Sequence, residues 1–220
     1  MIVITGGSDG LGKELINLFK ASGKTVVNVS RTKNDQADYN FLHNLRESQA
    51  IKQAVQSIEE IDEPLEVLIN NAGVFSKQPL GKITEDEIKR TMESNLNSQI
   101  MLTSELIDTI KRDETDIVNI SSRIGFVGSI DLAVYGASKW AVRGFSESLQ
   151  AEFKDLANRV ISFCPGGFDT GLFVKATNHD PTKDGTDWMK PRDLALLIKQ
   201  LLDLPKNIEV SEILINRKKK

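Results

Sequence analysis

The sequence predicts an α/β protein: a doubly wound parallel sheet of about seven strands with helices on both faces, in a single domain spanning residues 1–220. Three observations point there. Short runs rich in β-branched residues alternate with longer segments of helical period from end to end, the pattern of a parallel sheet with crossover helices. A glycine-rich turn, Thr5-Gly6-Gly7-Ser8-Asp9-Gly10-Leu11-Gly12, stands at the first strand-to-helix junction. No repeat, low-complexity segment or linker divides the 220 residues, a length that suits one well-buried domain.

Ile2–Thr5 reads as the first strand and leads through the glycine turn into a helix from about Gly10 to Ala21. Thr25–Val29 follows as the second strand. The polar stretch from Arg31 to Asn40 is too short for more than a loop or one helical turn, before a brief third strand at Phe41–Leu42. A helix from about Glu47 to Ile61 ends before Pro64, and Glu66–Ile69 is the fourth strand. Thr84, with Glu87 three residues later, makes a capping box that opens a long helix to about Lys111. Ile117–Ser121 is the fifth strand, a helix runs from about Leu132 to Leu156, and Val160–Cys164 is the sixth strand, broken by Pro165-Gly166. Pro191 suits the first turn of a helix ending near Asp203, and Glu209–Ile215 completes the sheet. Gly136 and Gly144 lie inside a predicted helix, where each costs about 1 kcal/mol relative to Ala, which implies close packing on cofactor or a partner helix.

Composition narrows the function classes. A net charge of −3 gives no reason to expect nucleic acid or a membrane surface as partner, and the Arg217–Lys220 run reads as a solvated tail. No apolar run approaches the roughly 18 residues of a membrane span, and the start, Met1-Ile-Val-Ile4, lacks the charged region of a signal peptide. The single cysteine, Cys164, forms no internal disulfide and reads as buried packing in a strand, so a cytoplasmic location is expected. His43 and His179 stand apart from other ligand types, so no catalytic metal is expected, and no Gly-x-Ser-x-Gly elbow marks a hydrolase.

The chemistry-bearing stretch is Ser122 to Lys139. Tyr135 and Lys139 are four positions apart, on one face of a helix, with Ser122 thirteen positions upstream of the tyrosine. A free phenol has a pKa near about 10, too high for an efficient acid at neutral pH. A cation about 4 Å away, at an effective dielectric of about 20, attracts the phenolate by roughly 4 kcal/mol. That would lower the phenol pKa by about three units. The trio therefore reads as a phenol, a cation to acidify it and a hydroxyl to hold a carbonyl oxygen. The glycine turn adds a diphosphate site, because glycine allows the backbone to come close and the helix N-terminus favours an anion.

Taken together these residues resemble a classical short-chain dehydrogenase/reductase. The matching motifs are Thr5-Gly6-x-x-x-Gly10-x-Gly12, Asn70-Asn71-Ala72-Gly73, Asn95, Ser122 with Gly125, Tyr135-x-x-x-Lys139, and Pro165-Gly166 with Thr170, in that order from residue 2 to about 216. The resemblance implies a Rossmann-like fold and an oxidoreductase acting on a ketone, aldehyde or secondary alcohol. Tyr135 would be the acid/base, Lys139 would lower its pKa and bind the nicotinamide ribose, and Ser122 would orient the carbonyl. Asn95 would hold a water linking Lys139 to solvent. Gly6, Ser8, Gly10, Leu11 and Gly12 would cradle the cofactor, Asn71-Ala72-Gly73 would pass beside the adenine ribose, and Pro165, Gly166 and Thr170 would take the nicotinamide side. Ser121, Ser129 and Ser138 read as structural. A non-catalytic NADP(H) sensor, and an epimerase or dehydratase of the same fold, are the alternatives.

Cofactor choice is argued at Ser30-Arg31, where a carboxylate would favour NAD and Arg31 instead suits a 2′-phosphate. NADP(H) is therefore expected to be preferred, with NAD(H) possible. There are departures from the family. Asn44 replaces the usual acidic residue at the adenine, the segment after the second strand is short, and the last strand lacks the common Gly-Gly. The resemblance also implies a homo-oligomer, a dimer or tetramer, paired through the long helix and the one carrying Tyr135. Residues 171–190 are the expected substrate lid, with Phe173, Trp188 and Met189 as candidate pocket residues.

Overall fold

The computed structural model describes residues 1–177 and 188–218. The strands are β1 (Ile2–Thr5), β2 (Val26–Ser30), β3 (Tyr39–Leu42), β4 (Val67–Asn70), β5 (Asp116–Ile120), β6 (Val160–Pro165) and β7 (Glu212–Ile215). All seven belong to one parallel sheet in the order β3-β2-β1-β4-β5-β6-β7. The chain winds outward from β1 to β3, then returns to lay β4 on the other side of β1. That reversal opens a crevice at the carboxyl ends of β1 and β4, where ligands of open α/β sheets bind.

The helices are α1 (Gly10–Ala21), α2 (Ser48–Glu59), α3 (Glu85–Met92), α4 (Ser98–Glu105), α5 (Ile107–Arg112), α6 (Ala133–Phe153), α7 (Gly171–Thr177) and α8 (Pro191–Leu202). Alternate residues of the central strands divide the core into two layers. Ile4, Ile69, Ile120 and Phe163 pack with Leu15 and Ile16 of α1 and Ile198 of α8. Val3, Leu68, Ile117 and Val160 pack on the other face with Ile51 and Ile58 of α2, Leu102 of α4 and Leu149 of α6. Strands buried on both faces read as continuous apolar runs, which is why the sequence locates them.

Two elements differ from the sequence reading. The expected long helix up to Lys111 is interrupted by a π turn at Glu93–Asn97, closed by Ser98 N–H donating to the Glu93 carbonyl, and again at Leu106 (φ −91°, ψ 5°). Its start is capped as expected, with Glu87 N–H donating to Thr84 Oγ1 at 3.2 Å, but the Glu87 carboxylate turns to Arg90 at 2.8 Å. As the sequence reading expects, no helix joins β2 to β3, because the link from Arg31 to Asp38 is shorter than the dozen or so residues a helical crossover takes. Gly144 is not closely packed among the described residues: a methyl group there would meet open space, whereas one at Gly136 would touch Ile124 at 3.4 Å.

The far side of the sheet is fixed by a buried ion pair. Arg159 donates to Asp116 at 2.6 Å and to the carbonyls of Leu202 and Leu204 beyond α8, both charged residues being 3% exposed. Removing one partner of such a pair leaves an uncompensated buried charge. Asp116→Ala should therefore lower the unfolding free energy by about 3–5 kcal/mol. Urea denaturation measures it, and a loss below about 1 kcal/mol, the scale of an exposed pair, would contradict the account.

Candidate active site

The site grows from the exits of β1 and β4. Thr5 Oγ1 accepts from the backbone N–H of Asn71 at 3.0 Å and of Ala72 at 2.9 Å. The Asn71 side chain returns the tie, donating from Nδ2 to the carbonyls of Thr5 (3.0 Å) and Gly6 (3.1 Å). Gly12 makes the junction sterically possible: a Cβ there would stand 2.3 Å from the Gly6 carbonyl oxygen and 2.6 Å from Asn71 Nδ2. Gly6 itself has φ +67°, a conformation other residues rarely adopt. Asp9 caps α1 by accepting from Gly10 N–H at 2.7 Å.

Over this junction lies a cleft of about 550 Å³. Gly6, Ser8, Gly10 and Leu11 line it on one side, Arg31 and Asn44 at one end, and Asn71, Ala72, Gly73 and Thr170 on the other. Thr170 reaches across to the turn, its Cγ2 lying 3.3 Å from where a Gly10 Cβ would stand. Gly166 is set back and joined to the sheet, its N–H donating to the Ile215 carbonyl at 2.8 Å.

The second group of residues gathers at the end of β5. Ser122 follows the strand and caps a 3-10 turn, Arg123–Gly125, by accepting from Ile124 N–H at 3.2 Å. Gly125 lets that turn lie on α6, since a Cβ would come within 2.9 Å of the Lys139 carbonyl oxygen. Tyr135 and Lys139 stand one helical turn apart on α6, as their spacing requires. The Tyr135 hydroxyl is hydrogen-bonded to Ser122. The Lys139 ammonium donates to the Ile120 carbonyl at 2.8 Å and lies 5.9 Å from the centre of the Tyr135 ring. Asn95, fully buried in the π turn, clamps the loop after β4. Its Oδ1 accepts from Val74 N–H at 2.7 Å, and its Nδ2 donates to the Val74 carbonyl and to Ser138 Oγ, each at 3.0 Å. Ser138 passes the tie on, donating to the Tyr135 carbonyl at 2.7 Å, while Ser121 donates to the Lys139 carbonyl at 2.9 Å. Both serines hold α6 in place, as the sequence suggested.

The electrostatics correct one expectation. Burial raises the Tyr135 pKa above its ordinary value, and the hydrogen bond with Ser122 opposes that rise only in part. The expected acidification by Lys139 is not found, because the ammonium turns to the Ile120 carbonyl and desolvation dominates at the phenol. Desolvation also lowers Lys139, to about 8, with the nearby Cys164 acting the other way.

The sequence matches the short chain dehydrogenase family over residues 1–181. This chain belongs to that family.

An uncharacterised short-chain type dehydrogenase/reductase of Sinorhizobium fredii is 28% identical over 96% of this chain and 88% of its own length. A 3-ketodihydrosphingosine reductase of Bacteroides thetaiotaomicron is 31% identical over 78% of this chain, which spans 65% of that longer protein. Among solved structures, serine dehydrogenase complexed with NADP+ superposes with a TM-score of 0.89 at 23% identity, covering 98% of this chain and 94% of its own. A 4-hydroxyisoleucine dehydrogenase complexed with NADH gives 0.86 at 25%, covering 98% and 96%. As a short chain dehydrogenase the protein is an NAD(P)-dependent oxidoreductase with a Rossmann-like sheet.

The cleft of this dehydrogenase fits a dinucleotide. Gly6 and Gly10 present bare backbone to it, and the start of α1 faces the space. At the far end Ser30 is engaged internally, donating to the Thr32 carbonyl at 2.5 Å, while Arg31 is exposed on the cleft wall. Asn44 is also on the wall, its Nδ2 donating to Glu47 at 2.7 Å. Of the expected lid, Gly171–Thr177 is α7, Trp188 and Met189 lie beside the cofactor loop, and residues 178–187, with His179, Pro181 and Gly185, fall outside the described residues. Cys164 is buried and free. Among the described residues no group of three potential ligands could hold a metal, and no helix is long and apolar enough to cross a membrane.

The sequence places Thr5 in the glycine-turn motif without a role, and its two accepted hydrogen bonds set the junction; Phe75, which meets the Tyr135 ring at 4.8 Å, was missed. The signal for Phe75 was its place just beyond Asn71-Ala72-Gly73 on the cleft side.

Lys139 gives a pH dependence of stability with a definite sign. Its folded pKa of about 8 lies below the ordinary 10.5, so between those values the unfolded chain binds more protons and stability rises with pH. Relative to Lys139→Met, the wild-type protein should gain up to about 3 kcal/mol between pH 8 and 10.5. Urea midpoints of both proteins across that range measure it, and a constant difference would contradict the burial of this charge.

Proposed function

We propose that this dehydrogenase is an NADPH-dependent carbonyl reductase, reversible as an alcohol dehydrogenase, acting on a ketone or aldehyde. The observation that carries the reading is the meeting of the Ser122 and Tyr135 hydroxyls beside the buried Lys139 ammonium. A carbonyl oxygen held between two hydroxyl donors gains stabilisation as negative charge develops on it, the largest contribution in many such sites. Ser122 orients the oxygen, and Tyr135 gives up its proton to it. Because burial raises the Tyr135 pKa, the phenol is protonated at neutral pH and stands as a donor, which favours reduction. Lys139, at about 8, is mostly cationic at pH 7 and steadies the phenolate left behind. Asn95 acts as a positioning residue through Val74 and Ser138. A bound dinucleotide would supply the hydride from its nicotinamide, with Gly6, Ser8, Gly10, Leu11, Gly12, Asn71, Ala72, Gly73, Pro165, Gly166 and Thr170 as the residues that would hold the dinucleotide along its length.

Arg31 supports NADPH over NADH, since an exposed guanidinium at the adenosine end pairs with a 2′-phosphate and no carboxylate replaces it at Ser30. The proposal includes a homo-oligomer, at least a dimer, because Ile100 on α4 and Trp140 on α6 present exposed apolar surface on the helices that the family pairs. A sedimentation mass of one chain would remove that part.

Tyr135→Phe should cut turnover by about 10²–10⁴-fold while NADPH still binds, because the ring is kept and only the proton donor is lost. Full activity in this variant would refute the role of the phenol and return the dinucleotide sensor to first place. Arg31→Ala should raise the Michaelis constant for NADPH by about tenfold, the modest effect of an exposed charged hydrogen bond, and leave that for NADH unchanged. A wild-type enzyme that prefers NADH would overturn the assignment.

A further inference from the structure

The proposed chemistry leaves a run of aromatic rings unused. Phe75, in the loop after β4, meets Tyr135 edge to face at 4.8 Å and 66°. Phe173 of α7 lies 5.6 Å from Phe75, and Trp188 lies 5.2 Å from Phe173. All three spacings fall in the attractive range of roughly 4.5–7 Å for aromatic pairs. Four separate stretches of chain thus converge on one row of rings that begins at the candidate catalytic phenol.

The outer end of the row is held from behind. The Arg217 guanidinium sits 5.4 Å over the Trp188 ring, so the C-terminal run is not wholly the solvated tail its charge suggested. Gly167 provides the seat, since a Cβ there would come within 3.2 Å of the indole. Asp169 N–H donates to the Met189 carbonyl at 2.9 Å, which fixes Trp188 beside the cofactor loop. Phe75, Phe173 and Trp188 are each half-buried rather than sunk in the core, and Phe75 also lines the cleft.

We infer that Phe75, Phe173 and Trp188 are specificity-determining residues, and that the substrate is a carbonyl compound bearing a flat apolar group, such as an aryl ring, next to the carbonyl. The inference rests on the reductase reading above. A ring laid along this wall removes apolar area from water on both surfaces and adds edge-to-face contacts. A small polar substituent in the same place would lose its water without gaining a hydrogen bond from the three side chains.

The test uses the full chain with NADPH and three ketones: 1-phenylpropan-1-one, butan-2-one and hydroxyacetone. Wild-type kcat/KM should favour the aryl ketone by about tenfold or more, the scale at which apolar pockets discriminate. Phe173→Ala and Trp188→Ala should each collapse that ratio through the KM for the aryl ketone, with the KM for NADPH unchanged, and Trp188→Phe should restore most of it. In Trp140→Phe, Trp188 is the one indole left of the two, and its emission should respond to 1-phenylpropan-1-one and not to hydroxyacetone. Equal turnover of the aryl and alkyl ketones, or a preference for hydroxyacetone, would overturn the inference and leave the reductase reading intact. Absence of hydride transfer to any of the three would overturn both.

Discussion

A single hydroxyl at the end of β1 organises the functional half of the molecule. Thr5 Oγ1 accepts two backbone N–H groups from the chain leaving β4, and Asn71 donates back to the carbonyls of Thr5 and Gly6. These bonds join the two strands at the point where the winding of the sheet reverses, and so fix both the floor of the cleft and its glycine turn. The tie continues along the chain. Val74 is clamped by Asn95, Asn95 donates to Ser138, and Ser138 donates to the carbonyl of Tyr135. One connected set of hydrogen bonds therefore runs from the cofactor turn to the backbone of the candidate acid. Each bond is worth only about 1 kcal/mol net, but a member left unpaired in this interior costs about 1–3 kcal/mol. The set is consequently held in one arrangement.

Much of this was legible in the sequence, and the reasons differ by element. Five of the strands have both faces covered, so their apolar runs could be located to within one residue, whereas the half-exposed β7 was placed three residues too early. The capping threonine at 84 and the proline at 191 fixed two helix starts because their local chemistry suffices. The π turn at Glu93–Asn97 was not legible: its cause is the fit of Asn95 between Val74 and Ser138, which are remote in sequence. The same holds for Asn71 and Asn95, whose residue type and position were clear while the partners of their amides were not.

The sign of the Tyr135 shift shows where periodicity stops being informative. A spacing of four places two side chains on one helical face, but says nothing about where a flexible lysine directs its ammonium or how much water the surrounding fold removes. Here the ammonium finds the carbonyl of Ile120 at the end of β5, and burial acts on both groups in the direction of neutrality, raising Tyr135 and lowering Lys139. Residue spacing carries information on the charge–charge attraction alone. In the folded chain desolvation is the larger contribution at both residues.

That balance bears on the proposed direction of catalysis. A phenol with a raised pKa is a weaker acid, so each proton transfer to a carbonyl oxygen has less driving force. It is also present almost wholly in the protonated form across the neutral range, which a proton donor requires and a proton acceptor does not have. Oxidation of an alcohol would need the phenolate, the form that burial penalises, and so becomes effective only as the pH rises. The cation 5.9 Å from the ring offsets part of the penalty at the moment charge develops, when an attraction between opposite charges first exists. On the proposed reading the pair is thus arranged to stabilise the phenolate as it forms during reduction, while the resting site holds a neutral phenol hydrogen-bonded to Ser122.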